Sequence, residues 1–241
     1  MNKNEIEFHN LRYRDGDDNR KGFEKFYTVT IQSQNFFKNK FTQIVNKKTK
    51  PKVLDYGCGI DAHGYLGTDN NNKPEKIFSF YKKHSLKFYG IDISDQAIKI
   101  AKQNSKKIHF PAKYYQMNAE QTNFKDRTFD LIFGKGIIHH LNFNKAIPEL
   151  KRILKSDGSC LFFEPLDHNP IIKLGRFLTP NKRTPDEHPI KISDKKVFNK
   201  YFKNVTFHSF CFISIFAFIF YKTPIFNKIL KRFEKIDQYL L

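Results

Sequence analysis

The residues best suited to chemistry in this sequence are an acid and two glycines that follow a short apolar stretch. Val53 and Leu54 are typical of a buried parallel strand, Asp55 closes that strand, and Gly57 and Gly59 form the predicted turn. Glycine reaches backbone angles that other residues avoid, and it lets a ligand approach the main chain closely. Because nucleotide-like ligands bind at the turn after the first strand of an open α/β sheet, the pattern predicts a ligand-binding loop.

Two cofactor classes compete for this loop. Gly57-x-Gly59-x-x-Ala62 fits a dinucleotide pattern, in which a pyrophosphate rests on a helix N-terminus. Asp55 weighs against that interpretation, because its carboxylate would repel a pyrophosphate. The same carboxylate suits a ligand with an ammonium group and a sulfonium centre, such as S-adenosylmethionine. A tight turn without any ligand is the third interpretation.

A second acid ends the next predicted strand, which runs from Leu86 to Asp92. A carboxylate can accept two hydrogen bonds from a ribose diol, and both cofactor classes use an acid in this way. Asp92 therefore predicts a ribose site, but it does not distinguish a dinucleotide from S-adenosylmethionine as the cofactor. Residues 61–75 have the composition of a loop, which lengthens the distance between Gly59 and Asp92.

The segments around these acids alternate between strand and helix patterns, which predicts a doubly wound parallel sheet. Ser94 is a predicted N-cap, and the helix after residue 141 is predicted to end at Ser156-Asp-Gly158, where glycine suits the C′ position. The other predicted elements are helices at 22–46, 75–84 and 95–104, strands at 129–134 and 160–164, and a short strand followed by a polar turn within 114–120.

Together, residues 52–165 resemble the class I S-adenosylmethionine-dependent methyltransferases. The resemblance implies a Rossmann-like, mostly parallel sheet of seven strands, the last antiparallel, after a helical N-terminal extension over residues 1–50. It is carried by Leu54-Asp-Tyr-Gly-Cys-Gly59, Gly90-Ile-Asp-Ile-Ser94, Asn118-Ala-Glu120, Phe129-Asp-Leu-Ile132, the block from Gly136 to Leu141, and Leu150-Lys-Arg-Ile-Leu-Lys-Ser-Asp-Gly158.

The resemblance also implies the cofactor, S-adenosyl-L-methionine, and the residues that hold it. In this family the first loop lines the methionine end, the acid after the second strand holds the ribose, and the segment at Asn118 meets the adenine. The family often has Asp where Asn118 stands, but an Asn carbonyl can still accept from the adenine amine. The predicted cofactor-binding residues are Asp55, Gly57, Cys58, Gly59, Asp92, Ile93, Asn118, Ala119 and Gly134.

Methyl transfer to a hydroxyl requires a base, which contributes about 10²–10⁴-fold. His139 and His140 follow the strand that ends near Gly134, at the ligand-binding edge of the predicted sheet. An imidazole that is neutral at about pH 7 suits this task, so the pair are the predicted catalytic residues. The alternative is structural, since this family often carries a His pair here.

Residues 164–190 contain five prolines and many polar side chains, which predicts a rigid loop that serves as a substrate lid. The segment resembles a bacterial branch of small-molecule methyltransferases with an EPLxHNP…TPxxRTxDEHP motif. The alternatives are a hydrogen-bonded cap at Glu164 and a structural loop in which Arg183 pairs with Asp186 or Glu187. The spacing of Glu187 and His188 predicts no metal site. The predicted substrate-binding residues are Glu164, His168, Arg183 and His188.

A net charge of +19 would ordinarily indicate nucleic acid or an anionic membrane as the partner. Only 8 of the 43 basic residues are arginine, and the lysines are scattered, which favours a solvated surface. Gly-Lys-Gly follows Phe133, in place of the motifs of base-modifying methyltransferases. The three cysteines lie far apart, so we expect neither disulfides nor a zinc site, and a reducing cytosol.

The apolar C-terminal segment at 207–241 includes a run from Phe210 to Tyr221 that is too short to span a membrane, which needs about 20 residues. Part of it suits a late strand of the sheet. The rest suits an amphipathic surface segment that docks on a membrane or admits a lipid-like acceptor. Core burial or dimerisation is the alternative.

We therefore predict a methyltransferase domain over residues 51–241 that acts on a small-molecule acceptor. O-methylation is favoured over N- or C-methylation. The expected location is the cytoplasm, with membrane association as an addition. The alternatives are a nucleic-acid methyltransferase, a non-enzymatic cofactor-binding or interaction protein, and a dinucleotide oxidoreductase, which Asp55 disfavours.

Overall fold

The computed structural model describes residues 3–14, 28–60, 74–167 and 187–241, together with residues 169, 173 and 177. The chain divides into two units. The sheet unit comprises residues 1–16 and 40–205, and the second unit comprises residues 17–39 and 206–241. The domain boundary predicted at residue 50 stays a prediction.

The sheet unit is organised on parallel strands in the order β3-β2-β1-β4-β5. The order reverses between β1 and β4, and in open α/β sheets ligands bind outside the carboxyl ends of the strands at such a point. This architecture confirms the predicted doubly wound sheet. The strands are β1 (Lys52–Tyr56), β2 (Lys87–Asp92), β3 (Ala112–Gln116), β4 (Phe129–Lys135) and β5 (Leu154–Phe163).

The helices predicted at 22–46, 75–84 and 95–104 correspond to helices at Ile31–Asn46, Pro74–His84 and Asp95–Lys107, and residues 22–27 of the first lie outside the described residues. The N-cap at Ser94 is confirmed, because its hydroxyl oxygen accepts from the N–H of Ala97 at 3.0 Å. The helix that begins at Ile31 supplies residues to both units, which divide between residues 39 and 40. The helices are α1 (Lys3–Arg14), α2 (Ile31–Asn46), α3 (Pro74–His84), α4 (Asp95–Lys107), α5 (Phe143–Ile153), α6 (Lys195–Asn199) and α7 (Phe226–Leu240).

The core of the sheet unit holds the strand ends in place with buried aromatic rings. Phe133 of β4 is fully buried and packs edge-on against Phe41 and Phe88, with centroids 5.1 and 6.0 Å apart. Replacing such a ring with alanine typically costs about 3–5 kcal/mol. The position of the residues that follow β4 therefore depends on this packing.

One helix ends earlier than its sequence predicts. Helix α5 stops at Ile153, and the segment predicted to end the helix, Ser156-Asp-Gly158, lies within β5. Pairing between β4 and β5 jumps from Leu154 to Ser159, so the residues between them bulge from the ladder. The predicted helix end is wrong because Leu154 already pairs with Phe129 and starts the strand.

The predicted number of seven strands is not confirmed, since the described residues form a sheet of five. The run from Phe210 to Tyr221, assigned in part to a late strand, instead contains a 3₁₀ helix at Ser214–Phe220. Buried Asp237 of α7 fixes the entry to this helix by accepting from the N–H groups of Phe212 and Ile213 at 3.0 and 2.6 Å. None of the described helices combines the length and the apolar character that crossing a membrane requires.

Candidate active site

The turn after β1 is held by the main chain of β2. The N–H groups of Gly57 and Cys58 both donate to the carbonyl oxygen of Ile91, at 2.9 and 2.8 Å. Gly57 has φ of +77°, and a Cβ atom there would lie 2.7 Å from the side chain of Ile137. Gly59 has φ of +55°. The turn therefore requires glycine at both positions and presents its main chain at the crevice.

Asp55 is the most unusual group at this edge of the sheet. Its side chain is fully buried, and within the described parts of the chain neither carboxylate oxygen has a hydrogen-bond partner. Burial and the charge of Asp92 raise the pKa of Asp55 well above its usual range, although Lys135 opposes them. An unpaired buried carboxylate is costly, and a cationic ligand group would satisfy it.

Asp92 lies one strand away and is held in a fixed orientation. Its Oδ2 accepts from the N–H of Gly59 and its Oδ1 from the N–H of Ser94, both at 2.9 Å. Burial raises its pKa, while these two N–H groups and the nearby His9 act in the opposite direction. Carboxylate oxygens have more than one lone pair each, so both stay able to accept from a ribose hydroxyl.

The predicted adenine segment follows β3 and is fixed beside β2. The N–H of Met117 donates to the carbonyl oxygen of Asp92 at 3.0 Å. The Asn118 side-chain oxygen accepts from the N–H of Glu120 at 2.9 Å, which closes a turn. The buried Ala119 accepts at its carbonyl oxygen from the Tyr56 hydroxyl. These contacts hold the segment beside the ribose acid.

The three remaining predicted cofactor residues lie at the same ends of the strands. Cys58 is buried, with its Sγ 3.5 Å from the carbonyl oxygen of Gly59. At Gly134 a Cβ atom would come within 2.6 Å of the carbonyl oxygen of Tyr56, so only glycine fits there. The half-buried Ile93 directly follows β2. Their assignment to the cofactor stays a prediction, as does that of the whole predicted set.

Helix α1 contributes side chains that the sequence did not predict. The Asn10 amide nitrogen donates to Asp95 Oδ1 at 2.7 Å, and its amide oxygen accepts from the Ser94 hydroxyl at 2.5 Å. The Tyr13 hydroxyl would lie 3.2 Å from a Cβ atom at Gly59. Helix α1 therefore lies over the glycine turn. Its polar sequence has no pattern that would reveal this role.

On the far side of the crevice, Glu164 is engaged at both oxygens. Its Oε1 accepts from the N–H groups of Ile137 and Ile138 at 3.0 and 2.9 Å, and its Oε2 lies 2.7 Å from Nδ1 of His139. These contacts match the interpretation of Glu164 as a hydrogen-bonded cap, and its predicted substrate role stays a prediction. The carboxylate favours the tautomer with the proton on Nδ1, which leaves the lone pair of His139 on Nε2.

His140 stands beside His139, with ring centroids 4.2 Å apart, and its Nε2 is 3.8 Å from Oε1 of Glu187. The N–H of His188 donates to the carbonyl oxygen of His139 at 2.9 Å, and its ring packs on Phe143 with centroids 4.8 Å apart. The structure thus brings His188 to the predicted catalytic pair.

The two ends of the predicted lid meet at β5. Leu166 forms a parallel bridge with Ile190, and the Ile190 N–H donates to the Pro165 carbonyl oxygen at 3.0 Å. Two predicted substrate residues, His168 and Arg183, lie outside the described residues. The lid function stays a prediction.

Comparisons with known proteins point to the same class of protein. Residues 75–162 match the family model described as "Methyltransferase domain". The chain is 30% identical over 199 residues to the uncharacterized protein MJ0638 of Methanocaldococcus jannaschii, covering 78% of this chain and 76% of that protein. Against the uncharacterized protein MJ1252 of the same organism it is 31% identical over 150 residues, or 58% of this chain. The match covers 51% of MJ1252, so this chain spans about half the length of that relative.

A solved structure shares the fold at low sequence identity. It is geranyl diphosphate C-methyltransferase from Streptomyces coelicolor A3(2), in complex with Mg²⁺, geranyl diphosphate and S-adenosyl-L-homocysteine. The TM-score is 0.52 at 10% identity, covering 78% of this chain and 68% of that chain. The matched domain and the fold are those of the class I S-adenosylmethionine-dependent methyltransferases, a family whose cofactor is S-adenosyl-L-methionine. The bacterial branch with the EPLxHNP motif stays a prediction.

Proposed function

We propose that the protein methylates a small-molecule acceptor at oxygen, with His139 as the general base. The observation that carries this proposal is the contact of 2.7 Å between Nδ1 of His139 and Oε2 of Glu164. A base that is oriented by a third group is the arrangement that activates hydroxyl nucleophiles. An amine acceptor that is already neutral would not need it.

The cofactor side supports the proposal through the fit of its residues. Neither carboxylate oxygen of Asp55 has a hydrogen-bond partner within the described residues, and the ammonium group of S-adenosylmethionine would supply one. Asp92 holds acceptor positions for ribose hydroxyls. When bound, the cofactor supplies a methyl group on a positively charged sulfur, which departs as a neutral thioether.

The histidine side would handle the proton of the acceptor. Nε2 of His139 takes that proton as the hydroxyl oxygen forms its new bond to carbon, and Glu164 stabilises the resulting imidazolium. The N–H groups of Ile137 and Ile138 fix the position of Glu164 by donating to its Oε1. Such a base contributes about 10²–10⁴-fold to the rate.

An acceptor screen with methyl-labelled S-adenosylmethionine tests the proposal. The panel contains phenols, hydroxylated metabolites, lipid-like phenols and the matching amines. We expect transfer to a hydroxyl compound, a loss of about 10²–10⁴-fold in His139→Gln, and unchanged binding of S-adenosylhomocysteine. His84→Gln is the control, since its Nδ1 contacts only the carbonyl oxygen of Phe80 in its own helix.

Three results would contradict the proposal. Transfer to amines that is undiminished in His139→Gln would move the acceptor atom to nitrogen. Cofactor binding without transfer to any compound would favour the non-enzymatic alternative, and transfer to RNA would favour the nucleic-acid alternative.

Contact with a membrane through residues 207–241 also stays a proposal. In the second unit Ile219, Tyr239 and Leu240 are more than half exposed, at 63%, 92% and 54%, and lysines such as Lys222 and Lys228 are also exposed. Apolar and basic side chains together suit an anionic bilayer surface. Cosedimentation with phosphatidylglycerol vesicles, and not with phosphatidylcholine vesicles, is the expected result, and Ile219→Ser should weaken it. Equal cosedimentation with both would exclude the charge contribution.

A further inference from the structure

Three side chains of metal-ligating type converge next to the acceptor side of the crevice. His139, His140 and Glu187 each place one donor atom so that all three atoms lie within 4.8 Å of one another. The spacing of Glu187 and His188 predicted no metal site. In the structure the three residues instead come from two segments that are far apart in the chain, one with His139 and His140 and one with Glu187.

The main chain holds these segments together without any ligand. His139 and His140 lie in a 3₁₀ turn at Ile138–His140, where the N–H of His140 donates to the carbonyl oxygen of Ile137 at 3.1 Å. The hydrogen bond from the N–H of His188 to the carbonyl oxygen of His139 fixes the residue after Glu187. The three donor groups are therefore positioned by backbone contacts.

Glu164 gives His139 the environment of a metal ligand. A ligating histidine almost always donates its other ring N–H to a carboxylate, a carbonyl oxygen or water, which sets the tautomer and makes the ligand more basic. The contact between Glu164 Oε2 and His139 Nδ1, at 2.7 Å, is such an interaction. Nε2 of His139 is then the coordinating atom.

The distance between His140 and Glu187 also suits a shared ion. Nε2 of His140 and Oε1 of Glu187 are 3.8 Å apart, longer than a hydrogen bond. Two ligands at about 2.1 Å from one ion lie about 3–3.5 Å from each other. A shift of a few tenths of an ångström would therefore bring both atoms to one ion.

We propose that His139, His140 and Glu187 bind one divalent transition-metal ion and that Glu164 orients His139. Two imidazoles and one carboxylate suit iron(II) and zinc(II), and they leave coordination positions open for a ligand oxygen. An acceptor hydroxyl bound there would have its pKa lowered, so it would lose its proton to solvent without an imidazole base. Metal binding itself is independent of the proposed function. It occupies Nε2 of His139, so in the metal-bound protein the ion would replace His139 as the group that activates the hydroxyl, and this consequence rests on the proposed O-methylation.

Metal titration of the full chain tests the site directly. The tag-free protein is stripped with a chelator and titrated with Zn²⁺ by calorimetry and with Co²⁺ by visible absorption. We expect one tight equivalent, since three protein ligands and one fixing carboxylate define a single site. Glu187→Gln and His140→Ala should weaken binding at least about tenfold, and Glu164→Gln about 10–100-fold.

The controls separate this site from adventitious binding to a chain with nine histidines. His84→Gln should keep the tight equivalent. Calorimetry with S-adenosylhomocysteine on the same samples reports folding and the cofactor site, so failure of the metal site and failure of the methyltransferase assignment are distinguishable. The proposal is overturned if the wild type binds no stoichiometric metal, or if Glu187→Gln and His140→Ala bind it as tightly as the wild type.

Discussion

The carboxylates on the two sides of the crevice differ in their hydrogen bonding. Asp55, in β1, is fully buried with neither oxygen hydrogen-bonded in the described chain. Glu164, just after β5, accepts from two N–H groups and contacts His139. Both strands pair with β4. The partner of Asp55 therefore lies outside the described residues, whereas Glu164 already has partners among them.

Replacing Asp55 should have opposite effects on the stability of the ligand-free protein and on its affinity for the ligand. In Asp55→Asn we expect S-adenosylhomocysteine to bind about 100-fold more weakly, because a charge-assisted contact with its ammonium group is lost. At a pH above the raised pKa of Asp55, the ligand-free protein should nevertheless unfold with a free energy about 1–3 kcal/mol higher, since an unsatisfied buried charge is removed. Calorimetry and urea unfolding measure the two effects. Asp157→Asn is the control, because that side chain is 71% exposed. Unchanged ligand affinity in Asp55→Asn would show that Asp55 does not bind the ammonium group of the ligand.

Glu164 should show the opposite sign of stability change. Glu164→Ala leaves the N–H groups of Ile137 and Ile138 without their acceptor, which should lower the free energy of unfolding by about 2–3 kcal/mol. Glu164→Gln should recover part of the loss, because its amide oxygen can still accept. S-adenosylhomocysteine affinity should change by less than about threefold in Glu164→Gln. A rise in stability in either variant would show that Glu164 resembles Asp55 after all.

The raised pKa of Asp55 makes the cofactor side sensitive to pH. Between the ordinary pKa of an aspartate and the raised value, the folded ligand-free protein holds a proton that the unfolded chain has released, so its stability falls as pH rises. The ammonium group binds the ionised form, so ligand affinity should rise with pH over the same window, by up to about tenfold per pH unit. Asp55→Asn should keep only the smaller slope that comes from Asp92. A slope that is unchanged in Asp55→Asn would assign the pH dependence to another group.

Much of the cofactor side could be predicted because its residues are local in sequence. The turn at Gly57 and Gly59, the acid at Asp92 and the cap at Ser94 each follow a strand directly, and the structure has them there. The strand order then brings them together through topology alone.

The histidine side could be predicted only in part, because its geometry depends on contacts between distant segments. No pattern in the sequence places Glu187 beside His140, since that contact depends on the hydrogen bond between His188 and His139. The bulge between Leu154 and Ser159 was missed for a related reason. Its glycine suits a helix end as well as an interrupted strand.

The smallest of the expected effects on ligand affinity concerns helix α1. Asn10 joins this helix to the start of α4 through Ser94 and Asp95, next to the ribose acid. Losing these two hydrogen bonds in Asn10→Ala should weaken S-adenosylhomocysteine binding by about fivefold, or about 1 kcal/mol. Zn²⁺ affinity should change less, because the two bonds of Asn10 join it to Ser94 and Asp95, although the neighbouring His9 packs on His140 with ring centroids 5.9 Å apart. Glu7→Ala, an exposed change in the same helix, is the control. If Asn10→Ala weakened both ligands equally, α1 would support the whole crevice, and the two sides could not be treated as independent.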